Sequence, residues 1–119
     1  MPSKPLPLSD YRGPERRRYP RHTVQVPIEF QLEESEIVIS TETTDLSRNG
    51  CYIQLATPLP LARLIRATLR LDGVRIQLAG RVVTRHPQFG NGIMFLDMLE
   101  QDAQALSAYL AMVVTESAV

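Results

Sequence analysis

The chain has 119 residues, 44% of them hydrophobic and 22% charged, with a formal net charge of zero. This is enough for one small core and too little for separate catalytic and regulatory domains, and no run of about 18 or more apolar residues is present to span a membrane. The neutral total conceals an asymmetry: Met1 to His22 carries six basic side chains against Asp10 and Glu15, whereas the remaining residues carry seven basic and eleven acidic ones. A cationic arm therefore precedes an acidic body, and such an arm either wraps that body or meets an anion.

Pro2, Pro5, Pro7, Gly13 and Pro14 predict a flexible leader over residues 1–14, because proline fixes φ and removes a backbone donor. The leader lacks the apolar stretch and cleavage site of a secretory signal, and the lone Cys51 has no internal disulfide partner, so the expected compartment is the cytoplasm. From Val24 to Leu32 apolar and polar residues alternate with the period of a half-buried strand, and Pro27 places it at an edge or a bulge. A second strand is expected over Glu36 to Thr44, after a turn at Glu33-Glu34-Ser35-Glu36. The polar stretch Asp45-Leu46-Ser47-Arg48-Asn49-Gly50 then interrupts, and a third strand runs from Cys51 to Leu55, ended by Pro58 and Pro60.

Ala67, Leu69 and Leu71 mark a fourth strand and Val74 to Thr84 a fifth, joined by a type I′ hairpin at Asp72-Gly73. Gly80 predicts a bulge or bend, and a glycine-flanked turn at Gly90-Asn91-Gly92 precedes a short sixth strand from Ile93 to Leu96. Leu99, Ala103, Leu106, Tyr109, Leu110 and Val113 recur at helical spacing, and Asp97 with Glu100 suits a capping box, so a helix is expected over 97–114. The fold class is mainly β: a small six-stranded antiparallel barrel (23–96), with a C-terminal helix packed across it and a flexible N-terminal arm (15–22) before it.

Catalytic chemistry finds no support. Cys51, His22 and His86 lie too far apart in sequence to suggest a zinc site, and Cys51 reads as a small core residue with no base beside it. Ser47, Asp45 and a histidine could be drawn as a triad, but no nucleophile elbow is present. No glycine-rich loop occurs in the strand-to-helix context that cradles phosphates. The expectation is neither an enzyme nor a metalloprotein, with no cofactor.

Two segments remain: Arg17-Arg18-Tyr19-Pro20-Arg21 before the first strand, and Asp45-Leu46-Ser47-Arg48-Asn49-Gly50 between the second and third. Alone, the first reads as a solvated tail or a weak nucleic-acid contact, and the second as a loop with local Asp and Ser backbone bonds and an unusual φ at Gly50. Together, in this order and context, they resemble the R-x-x-x-R and D/N-x-S-x-x-G signatures of the PilZ domain family, and both match in full. The resemblance runs from about Glu15 to the final helix, making 15–119 one PilZ-like domain.

The resemblance implies a bacterial receptor for cyclic di-GMP, built as a six-stranded barrel whose arginine arm closes over the ligand. The implied ligand-binding residues are Arg16, Arg17, Arg21, Asp45, Ser47 and Gly50, with Arg18, Arg48, Gly80 and Gly92 as further contacts. The chemistry fits, since guanine O6 and N7 match a guanidinium fork while its N1 and N2 donors suit Asp45. Arg16, just before the arginine motif, looks like the family's two-ligand type, so two nucleotides per chain are expected. With the chain filled by barrel, arm and helix, output is expected through an unidentified effector protein, and the chain itself is expected to be a monomer or weak dimer. Two rivals are a PilZ-like interaction domain that binds no nucleotide, disfavoured by intact motifs, and a small barrel for single-stranded nucleic acid, disfavoured by the acidic body and sparse aromatics.

Overall fold

The computed structural model describes residues 19–117, and of 114–117 only the backbone. Arg16, Arg17, Arg18 and the 1–14 leader lie outside the described residues. Six strands, β1 (Pro27–Leu32), β2 (Ile39–Leu46), β3 (Gly50–Gln54), β4 (Leu64–Leu71), β5 (Val74–His86) and β6 (Gly90–Met98), precede one helix, α1 (Glu100–Ser117). The strands close antiparallel in the order β1-β2-β3-β6-β5-β4.

The period-two pattern explains the closure. Ile28 and Phe30 of β1, Ile65, Ala67, Leu69 and Leu71 of β4, and Ile76, Leu78 and Val82 of β5 all point inward and are buried. Their neighbours Arg66, Arg70 and Arg75 remain exposed, as expected when one face of each strand meets the core and the other meets water. The β4–β5 connection is the expected tight turn, with φ of 53° at Asp72 and 89° at Gly73. The register shifts between Ala79 and Gly80, but the extra residue is Leu96 of β6, so Gly80 stands opposite a bulge rather than within one. Leu106 and Leu110 bury the apolar stripe of α1, and Asp102 Oδ2 accepts a hydrogen bond from the Gln77 amide at 3.2 Å, tying the helix to β5.

Several expectations are corrected. Pro27 occupies neither an edge nor a bulge: it is the first residue of β1, whose pairing with β4 begins only at Ile28, so its missing N–H costs that ladder nothing. Val24 to Val26 lies outside the strand because the buried Thr43 hydroxyl takes over the pairing, donating to Val24 O at 2.8 Å and accepting from Val26 N at 3.1 Å. Strand β2 starts later than expected and runs through Asp45 and Leu46, leaving Ser47, Arg48 and Asn49 as the connection to β3.

Gly90-Asn91-Gly92 is not a turn but the start of a nine-residue β6; the chain reverses at Pro87 to Phe89, where Gln88 has a φ of 68°. Asp97 does not cap the helix. It lies within β6 opposite Ala79, and α1 starts at Glu100, with acidic Glu100 and Asp102 in the first turn, where they complement the helix dipole.

Candidate functional site

The end of the arm is fixed by backbone. His22 forms an isolated bridge with Leu46, exchanging N–H···O bonds of 2.9 Å in both directions. In this antiparallel bridge residue 21 stands opposite residue 47 and diagonal to residue 45, and Arg21 Nη1 reaches Asp45 Oδ2 at 3.5 Å, with side chains 36% and 25% exposed. A pair this exposed is worth only about 0–1 kcal/mol, so it can exchange for another partner at little cost. Asp45 Oδ1 is buried with no hydrogen-bond partner among the described residues, leaving the carboxylate an unspent acceptor. A second clasp lies next to it, where the Arg48 guanidinium carbon sits 4.6 Å from the centroid of the Tyr19 ring.

The turn between β2 and β3 is internally satisfied. Ser47 is 1% exposed; its hydroxyl donates to Asn49 Oδ1 at 2.8 Å or to the Gly50 carbonyl at 3.2 Å, and accepts from the Asn49 amide. It holds the turn closed. Gly50 has no unusual φ; a Cβ there would lie 2.5 Å from Ile93 O, so its glycine serves close approach between β3 and β6.

Of the remaining candidates, Gly80 is packed against Ile93, and Gly92 leaves room for Thr84 Oγ1, which accepts the Gly92 amide at 2.8 Å. These glycines shape the barrel wall. The structure thus brings Arg21, Asp45, Ser47, Arg48 and Gly50 together, with Gly92 on β6, next to β3, and Gly80 one strand further on β5.

A cleft of about 530 Å³ opens beside this cluster, bounded by Tyr19 and Arg21 at the arm and by Tyr52, Thr84 and His86 across β3 and β5. Tyr52 Oη and His86 Nδ1 are 2.9 Å apart, and the two rings are tilted at 5.7 Å between centroids. Partial burial, aided by the Asp45 carboxylate, pushes the Tyr52 phenol above its ordinary pKa. Sequence reasoning passes over Tyr52 and weighs His86 only as a metal ligand or triad base, because the two stand 34 residues apart and neither sits in a spaced motif.

Cys51, directly beneath, is fully buried, and burial followed by Asp45 pushes its thiol up to about 12, against a smaller lowering by Arg21. It is a core residue and no nucleophile at neutral pH. Among the described residues no three His, Cys, Asp or Glu side chains converge as a metal site would require, and no helix is long and apolar enough to cross a membrane.

A family model described as the PilZ domain matches residues 15–112. Among solved structures, the chain is similar to the PilZ domain of CeSA from a cellulose-synthesizing bacterium, with a TM-score of 0.60 and 19% identity over 72% of this chain and 89% of that one. It is also similar to the Bacillus subtilis inhibitor of motility MotI/DgrA, with a TM-score of 0.65 and 21% identity over 83% of this chain but 52% of that protein. Identities this low speak to the fold alone. No curated protein matches the chain significantly in sequence.

Proposed function

The chain belongs to the PilZ domain family, and from that premise we propose that it is a non-catalytic, cytoplasmic receptor for cyclic di-GMP that signals to a partner protein. The observation that carries this reading is the meeting of Arg21, the last residue of the arginine motif, with Asp45, the first residue of the second motif, beside an open cleft that Arg21 lines. Two signatures 24 positions apart in the chain converge where a guanine needs both an acceptor and a donor fork.

In this reading Asp45 accepts from guanine N1 and N2, while Arg17 and Arg21 supply a fork to O6/N7 or phosphate and a flat surface for stacking. Ser47 and Gly50 act by holding the turn, and Arg16, with Arg18 and Arg48 in support, answers the charge of a second stacked nucleotide. Binding exchanges the weak Arg21–Asp45 pair for ligand contacts and so remodels the arm, which changes the surface that an effector protein meets.

The test is a calorimetric titration with cyclic di-GMP, GTP and a short single-stranded oligonucleotide. Cyclic di-GMP alone binds tightly, at two per chain, falling to one in Arg16→Leu. Arg21→Ala and Asp45→Ala each weaken it at least tenfold, equivalent to ~1.4 kcal/mol, with unchanged circular dichroism. Binding of the oligonucleotide alone, or of none of the three, overturns the reading.

A further inference from the structure

The cleft has a second wall that neither signature motif accounts for. Asp45 of β2 is register partner to Tyr52 of β3, Tyr52 to Gly92 of β6, and Gly92 to Thr84 of β5. This row crosses three strand spacings, about 14 Å. One rung further, His86 is partner to Gly90. Because β6 carries glycine at both 90 and 92, no side chain stands between β3 and β5 at these rungs, and Tyr52 reaches over β6 to the His86 ring.

We propose that Tyr52 and His86 form a guanine-reading wall of this cleft, in which the Tyr52 hydroxyl donates to His86 Nδ1 and thereby presents His86 Nε2–H to the O6/N7 acceptor edge of a nucleotide base. This rests on the cyclic di-GMP reading above and adds a specificity-determining pair to it. A neutral imidazole has one donor and one acceptor nitrogen, so a phenol donating to Nδ1 leaves the proton on Nε2. The phenol remains protonated, since its surroundings push its pKa upward.

The wall suits a base rather than a phosphate. Its donor is uncharged, and the exposed side chains of Val83 and Met94 beside it offer apolar surface to a flat ring, whereas the one arginine among the described residues lining the cleft, Arg21, is at the arm. Adenine in the same place would set its N6 amino donor beside N7 where guanine has the O6 acceptor. The pair therefore discriminates between purines as well as adding affinity.

The test compares cyclic di-GMP with cyclic di-AMP, which has the same phosphates and both guanines replaced, on the full chain by direct and competition calorimetry. His86 is exposed, so His86→Leu folds normally. It is expected to lose about three- to tenfold in cyclic di-GMP affinity, the effect of one neutral hydrogen bond, and to narrow the preference over cyclic di-AMP. His86→Gln, which restores an amide donor near the Nε2 position, recovers most of both.

Tyr52 is a positioning residue, and its readout is the imidazole nitrogen spectrum. Nε2 carries the proton in the wild type and shifts on addition of cyclic di-GMP, while Tyr52→Phe mixes the tautomers. An equal loss for both ligands in His86→Leu assigns the contact to phosphate and overturns the proposal, as does an unchanged affinity. A wild type that binds neither ligand instead removes the receptor reading on which the proposal rests.

Discussion

Two Asn-Gly dipeptides, Asn49-Gly50 and Asn91-Gly92, open neighbouring stretches of β3 and β6 and meet across one ladder. Cys51 pairs with Ile93, so that Gly50 lies opposite Met94 and Gly92 opposite Tyr52. In each case a glycine faces a large side chain that lines the cleft. Asn-Gly is the strongest two-residue hairpin signal, yet neither of these glycines takes a positive φ, and the hairpin geometry belongs instead to Asp72-Gly73.

The asparagines differ more than their neighbours. Asn49 is exposed, and its side-chain oxygen closes a three-residue connection with Ser47. Asn91 is 0% exposed; its Oδ1 accepts from Leu59 N at 2.7 Å, and its Nδ2 lies 3.0 Å from Leu59 O and 3.1 Å from Thr84 O. The same dipeptide is a surface clasp in one strand and a buried peg for the β3–β4 connection in the other. The structural role follows from burial rather than from local propensity.

The sharpest way to break this contrast is Asn91→Ala. It leaves the buried Leu59 amide without its acceptor and opens a polar cavity, at a cost of about 2–3 kcal/mol, read as a lower urea midpoint with an unchanged slope. A loss below about 1 kcal/mol would mean that Asn91 is no peg.

The two glycines give the next largest effect. At Gly50 an added Cβ meets a backbone oxygen, Ile93 O, at 2.5 Å, whereas at Gly92 it meets the Thr84 hydroxyl at 2.5 Å. Backbone cannot step aside without moving a strand, so Gly50→Ala costs about 1–3 kcal/mol. The threonine can rotate and forfeit one hydrogen bond, so Gly92→Ala costs about 1 kcal/mol, less again in a Thr84→Ala background. Thermal unfolding of the wild type, Gly50→Ala, Gly92→Ala, Thr84→Ala and the Thr84→Ala/Gly92→Ala double variant orders these costs, and a Gly92→Ala cost above that of Gly50→Ala contradicts the geometry.

What the sequence discloses depends on whether the determining contacts are local. Strand alternation at Leu64–Leu71 and the Asp72-Gly73 turn are legible because each reports its own few residues, as does the spacing of Arg17, Arg21, Asp45 and Gly50. Gly90-Asn91-Gly92 reads locally as a turn because the β3 partners that extend it, Gln54, Ile53 and Tyr52, lie 36 to 40 residues away, and Asp97 reads as a cap because its strand partner Ala79 lies 18 residues away. Thr43 displaced the expected start of β1 from a distance of 17 residues. Tyr52 and His86 share no spacing at all; only the barrel register and two side-chain-free rungs on β6 bring them together.

The smallest effect is expected at Asn49, and it sharpens the comparison most directly. Asn49→Ala removes Oδ1 as the acceptor of the Ser47 hydroxyl, but that hydroxyl has the Gly50 carbonyl 3.2 Å away and turns to it. The other Asn49 bonds are made by backbone, its amide to Ser47 Oγ at 3.2 Å and its carbonyl from the Phe95 amide at 2.8 Å, and alanine keeps both. With water able to solvate what is lost at an exposed site, the change in stability stays within about 0.5 kcal/mol. A urea titration beside that of Asn91→Ala measures the ratio, and a cost at Asn49 approaching that at Asn91 would show that the Ser47–Asn49 clasp supports the barrel as well as the turn.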